Sequence, residues 1–79
     1  MTRSALIHGR PVRFIDGEPE LVAVAFPADD GVTWGWRVFS GGQSVTGYPS
    51  GIPSREDAQA GGDRCAALLR DQLAAQVAA

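Results

Sequence analysis

A chain of 79 residues with one cysteine and a formal net charge of −2 has room for a single domain. It excludes an internal disulfide, and one cysteine with one histidine leaves no basis for a tetrahedral zinc site. All seven basic residues are arginine, and the mildly acidic balance argues against non-specific nucleic-acid binding, although a local basic patch can still serve it.

Residues 1–9 read either as a short edge strand at Ala5, Leu6 and Ile7 or as a flap. Arg3, His8, Arg10 and Arg13 make this end the most basic part of the chain. His8 has no acid or nucleophile at a recognisable spacing and carries no catalytic expectation. Arg10 to Ile15 alternates as a strand whose Pro11 belongs at its start or at a sheet edge. Asp16-Gly17 is a hairpin signal, because tight hairpin turns need positive φ. If Ile15 pairs with Glu18, Arg13 falls opposite Glu20 as a cross-strand charge pair.

Glu20 to Pro27 is the second strand. Val22, Val24 and Phe26 line one face and Leu21, Ala23 and Ala25 the other, so it belongs in the sheet interior, covered on both sides. Ala28 to Gly31 turns the chain into the third strand, Val32 to Ser40. There Trp34, Trp36 and Val38 share one side, and Thr33, Gly35, Arg37 and Phe39 the other. Ser40-Gly41-Gly42-Gln43 closes the next hairpin. Pairing Phe39 with Ser44 then sets Val38 against Val45 and Trp36 against Gly47. A short fourth strand, Ser44 to Tyr48, ends at Pro49, and residues 49–53 read as an irregular linker.

Ser54 is an N-cap, with Asp57 three residues on and Glu56 in the first turn. A helix from about 55 to 77 follows, with an apolar stripe of Ala58, Cys65, Leu68, Leu69, Leu73 and Val77. Gly61-Gly62 either breaks this helix or lets its backbone sit close on the tryptophan face, and close approach is the expectation. The fold class is therefore α+β: one domain, residues 1–79, with a three- to four-stranded antiparallel meander over about 5–48 and one C-terminal helix packed on one face. The helix is expected on the side of Val22, Val24, Phe26, Trp34, Trp36, Val38 and Val45.

Catalytic constellations are missing. The glycine pairs lack the strand-turn-helix context and the lysine of a phosphate loop. Asp29-Asp30 lacks the rest of a calcium loop, and Cys65, on the helix stripe, reads as a small core residue. The expectation is a non-enzymatic protein with no cofactor and no metal. With no charged-then-apolar leader after Met1 and no apolar run near the ~20 residues of a membrane span, it is expected in the cytoplasm, without membrane contact.

One helix covers one sheet face. The other is expected to carry Leu21, Ala23, Ala25, Arg37, Phe39, Ser44, Thr46 and Tyr48. It is either a binding surface or is covered by Ala5–Ile7 or by a second copy of the chain. As a binding surface it would anchor a protein through Arg37, Phe39 and Tyr48, or nucleic acid through Phe39 and Tyr48 with Arg37, Arg10 and Arg13. The five carboxylates Asp16, Glu18, Glu20, Asp29 and Asp30, with no basic residue among them, would repel phosphate, which favours the protein partner.

The segment from Gly35 to Leu69, GWRVFSGGQSVTGYPSGIPSREDAQAGGDRCAALL, resembles small β-hairpin-plus-helix domains of bacteria and phages. It shares the Trp-x-Val, glycine hairpin, Ser cap and Asp-Ala helix start. In size, acidity and lack of catalytic motifs the whole chain is similar to phage-encoded anti-CRISPR proteins. That resemblance implies an inhibitor that binds a bacterial nucleic-acid effector, such as a CRISPR complex, and blocks DNA binding or nuclease recruitment. In that picture Asp16, Glu18, Glu20, Asp29 and Asp30 would meet a basic groove, with Arg37 and Tyr48 at its rim. A small RNA- or DNA-binding accessory domain and a homodimer of other role are the alternatives.

Overall fold

The structure, a computed structural model, describes residues 5–78 and the helix side chains through Ala75. Arg3 and the side chain of Val77, expected in the basic end and the helix stripe, lie outside the described residues. The architecture is α+β, with a three-stranded antiparallel meander, two small hairpins and one C-terminal helix.

The hairpins come first. β1 (Leu6–Ile7) pairs with β2 (Arg10–Pro11), and β3 (Phe14–Ile15) pairs with β4 (Glu18–Pro19). Each turns through two residues of positive φ, His8-Gly9 and Asp16-Gly17, as a two-residue turn matched to strand twist requires. Ile15 pairs with Glu18 as expected, and the Glu20 N–H donates to the Arg13 carbonyl at 2.8 Å. The Glu20 carboxylate, however, turns to the Gly41 N–H at 2.7 Å. The strand read over Arg10–Ile15 is two pieces. Between them the Val12 side chain drops into the core and the Arg13 N–H donates to Ser40 Oγ at 2.7 Å instead of to a strand.

The meander follows as β5 (Val22–Pro27), β6 (Trp34–Ser40) and β7 (Gln43–Ile52), with β6 in the middle. β5 is thus an edge strand of the sheet. β7 runs four residues past the expected end at Tyr48. Pro49 does not stop it because a proline whose nitrogen faces away from the neighbouring strand costs the ladder nothing. Gly51, at φ +93°, lets the strand bend so that Ile52 still pairs with Trp34.

Two register findings reverse parts of the expected faces. Ala23 lies opposite Val38 and Ala25 opposite Trp36, whereas Val22, Val24 and Phe26 lie opposite Phe39, Arg37 and Gly35. Directly opposed residues share a face, so the alanines join Trp36 and Val38. On the other side Phe39 pairs with Ser44 as expected, but a bulge at Val45 advances the register. Val38 then meets Thr46, Trp36 meets Tyr48, and Gly47 falls opposite Arg37.

Helix α1 (Arg55–Ala78) is unbroken. Ser54 caps it, with Oγ accepting from the Asp57 N–H at 3.1 Å. It packs on the alanine and tryptophan side of the sheet, mainly over β5 and β6. A Cβ built at Gly62 would stand 3.1 Å from Ala23 Cβ and 3.2 Å from Trp36 Cβ, and one at Gly61 3.0 Å from Trp36 Nε1. The glycine pair is therefore a close-approach device. The buried stripe runs through Ala58, Gly62, Ala66 and Leu73, with Cys65 and Leu69 packed at its side. Leu68, expected on it, is 57 % exposed. The core joins Ile7, Val12, Leu21, Val38 and Val45 to Ala66 and Leu73, so the N-terminal hairpin seals the end of the sandwich that the far half of α1 reaches.

Overpacking a close contact costs about 1–3 kcal/mol. Gly62→Val is expected to lower the urea unfolding midpoint by a matching amount while far-UV circular dichroism at low urea is unchanged. A midpoint equal to wild type would show that the helix does not need to lie this close.

Candidate functional site

With α1 on the alanine side, the opposite face of the meander is made by Val22, Val24 and Phe26 of β5, Arg37 and Phe39 of β6, and Gly47 of β7. Val22 is 52 % exposed and Val24 44 %. Phe26 lies across Gly35, where an added Cβ would stand 2.8 Å from its Cζ. The Arg37 guanidinium sits over the Phe26 ring at 5.3 Å from the centroid, a cation–π contact that fixes the arginine's place while leaving its charge near solvent. Among the described residues no element lies over Val22 and Val24.

The expected anchors divide between the two faces. Arg37 and Phe39 are on the open face. Tyr48 is on the helix side, beyond the helix's cover. Its ring stacks on Trp36 with centroids 6.5 Å apart and planes at 19°, and it is 52 % exposed. Thr46 also shares the helix side, while Leu21, Ala23 and Ala25, expected in the open, lie against α1. Sequence reasoning missed Val22, Val24 and Phe26 as surface residues.

The five carboxylates form two groups rather than one surface. Asp16 and Glu18 belong to the β3–β4 turn and Glu20 follows it. Asp29 and Asp30 stand at the other end of β5, a strand of six residues and so roughly 20 Å away. Two of the five have structural partners. Glu20 holds Gly41. Asp30 accepts from the Thr33 hydroxyl and from the Val32 and Thr33 N–H groups at 2.9 and 2.8 Å, and these bonds, the hydroxyl first, hold its carboxyl below the ordinary aspartate range.

A groove of about 460 Å³ follows the outer edge of β7, lined by Arg10, Arg37 and the run from Ser44 to Pro49. Two arginines and three hydroxyl-bearing residues, Ser44, Thr46 and Tyr48, line it without a carboxylate. At the opposite sheet edge, Gln59 of α1 reaches the β5 backbone. Its Oε1 accepts from the Ala25 N–H at 3.1 Å and its Nε2 donates to the Ala23 carbonyl at 2.9 Å. Arg70 donates to the Leu21 carbonyl at 2.6 Å.

Among the described residues no cluster of three or more His, Cys, Asp or Glu side chains is placed to hold a metal ion. Cys65 is half-buried on α1, and that burial pushes its thiol up, away from the reactive thiolate. His8 is exposed at the β1–β2 turn. No helix among the described residues is long and apolar enough to cross a membrane. No protein-family model, curated protein or solved structure matches this chain.

Two outcomes are expected. Gln59→Ala leaves the Ala25 N–H and Ala23 carbonyl without their partner. It should cost about 2 kcal/mol in urea unfolding and increase concentration-dependent association in sedimentation, because it uncovers a strand edge. Asp30 contributes stability that is present above its ordinary value of 3.8 and lost as pH falls through its lower folded value. The stability gap between wild type and Asp30→Asn should therefore narrow as pH drops from 7 to 2. A gap constant across that range would mean that the Asp30 charge does not matter to the turn.

Proposed function

We propose that the chain is a non-enzymatic recognition module for another protein, docking through the outer face of β5 and β6. The observation that carries this reading is the pair Val22 and Val24, about half-exposed on a strand fixed from behind by the helix, with Phe39 beside them and Arg37 seated on Phe26. An apolar centre with aromatic and arginine neighbours on a rigid element is the composition of a protein-binding patch. Burying the two valines against a partner would remove apolar surface at about 25 cal/mol per Å², before the cost of association.

The chain's small size and acidity support a more specific form of the proposal, inhibition of a bacterial nucleic-acid effector complex. The carboxylates at the two ends of β5 would then meet the effector as separate patches flanking the valine face. Their separation supports a central contact through the apolar face rather than through an acidic surface.

The test is a pull-down from bacterial lysate with and without nuclease, comparing wild type with Val22→Asp/Val24→Asp. The captured protein is then purified and its affinity measured. The expected result is a nuclease-resistant protein that binds wild type at least about tenfold more tightly than the double variant. Nucleic acid captured by wild type and lost with nuclease would replace this reading with the nucleic-acid one. Recovery of the chain alone as a dimer that the double variant dissociates would make the face an oligomer contact.

A further inference from the structure

The two edges of the meander are treated differently. Along β5 and the residue before it, the backbone groups that point away from the sheet are those of Leu21, Ala23 and Ala25, and each of the three residues is engaged by a side chain of α1. Arg70 takes the Leu21 carbonyl, and the Gln59 amide takes the Ala23 carbonyl and the Ala25 N–H. Pro27, the next outward position, has no N–H, as Pro49 has none on β7, so the difference between the edges lies in the side chains of α1. Gln59 stands where the peptide group of a neighbouring strand would stand, so this edge is closed to further pairing.

The other edge follows by alternation. Val22, Val24 and Phe26 turn their backbone groups toward β6, so Gly35, Arg37 and Phe39 bond to β5, and Trp36 and Val38 bond to β7. Their partners Tyr48 and Thr46 therefore face inward. Gly47, opposite Arg37, and Ser44, opposite Phe39, turn outward, and no hydrogen bond from another element reaches either among the described residues. The groove with Arg10 and Arg37 runs along this same edge. An unpaired strand edge selects an extended backbone, and two arginines without a carboxylate select negative charge.

We infer that the free edge of β7 takes an extended acidic peptide segment of a partner protein as a fourth strand, its backbone pairing with Ser44 and Gly47 and its carboxylates meeting Arg10 and Arg37. This rests on the protein-recognition reading and adds the chemistry of the segment bound. A second copy of the chain fits the edge less well, since β7 against β7 would bring both pairs of arginines to one seam. A nucleic-acid strand brings charge of the right sign but no regular row of backbone donors and acceptors.

The probe is a fluorescein-labelled octapeptide of alternating threonine and glutamate, capped at both ends. An alternating threonine–lysine peptide and a single-stranded oligothymidylate serve as comparisons. The acidic peptide is expected to bind, to weaken by about tenfold with Arg10→Glu and again with Arg37→Glu, and to slow hydrogen exchange of the Gly47 amide. It should bind Val22→Asp, which changes the docking face opposite Phe39 and not opposite Arg37, as it binds wild type, and this separates the inference from the docking face. If that variant loses its lysate partner while wild type fails to bind the peptide, the recognition reading stands and the edge assignment falls. Equal binding of the lysine peptide, tighter binding of the oligothymidylate, or acidic-peptide binding with an unprotected Gly47 amide would each overturn the inference. Gly47 protection that rises with protein concentration alone would give the edge to a second copy.

Discussion

The close seat of α1 on Trp36 is the constraint from which the other features follow. Gly61 and Gly62 each weaken a helix by about 1 kcal/mol relative to alanine, and among the described residues no salt bridge at that point offsets them. What offsets them is contact, because without side chains there the helix backbone lies against the indole and the Ala23 methyl. An aromatic of this size carries about 150–250 Å² of buriable surface. The same closeness explains the alanines of β5. Larger residues at Ala23 and Ala25 would hold the helix off the sheet, whereas on the outer face, where no helix lies among the described residues, β5 carries valines and phenylalanine.

That seat also decides what happens at the sheet edge. A glutamine side chain is short, and Gln59 bonds to the β5 backbone only because the helix lies within its reach. Its amide supplies one donor and one acceptor, the pair that an antiparallel neighbour would offer. One contact thus covers a face and closes an edge. The helix covers β5 and β6 and barely reaches β7, so the opposite edge and the opposite face stay open among the described residues. The asymmetry gives the molecule its available surfaces: two half-exposed valines on one side and an arginine-lined strand edge at the end.

The faces of β5 were the part least legible in the residues. Leu21, Ala23 and Ala25 form as good an apolar row as Val22, Val24 and Phe26, and the bulkier row looks the better core. A shift of one residue in register exchanges the rows completely, and no residue within β5 records which register holds. The bulge at Val45 is of the same kind. Counting from the Phe39–Ser44 pair predicts Trp36 against Gly47, but the bulge spends one residue to bury Val45 with Val38 and brings Tyr48 onto Trp36. Arg37 and Phe39 were placed correctly because they share β6 with the tryptophans, whose side was unambiguous. Tyr48 was misplaced by that single added residue.

Local chemistry is what the residues determined by themselves. The glycine hairpins at Asp16-Gly17 and Gly41-Gly42, the Ser54 cap and the antiparallel meander all depend on neighbours a few positions apart, where φ preferences and capping bonds act. The tertiary structure alone decided which row of β5 meets the helix, how far β7 continues past Pro49, and that the acidic residues stand at two ends instead of one surface. Those outcomes depend on contacts between distant residues, Gly62 with Ala23 and Gln59 with Ala25 above all, where distance across the fold, and not position along the chain, sets the energy.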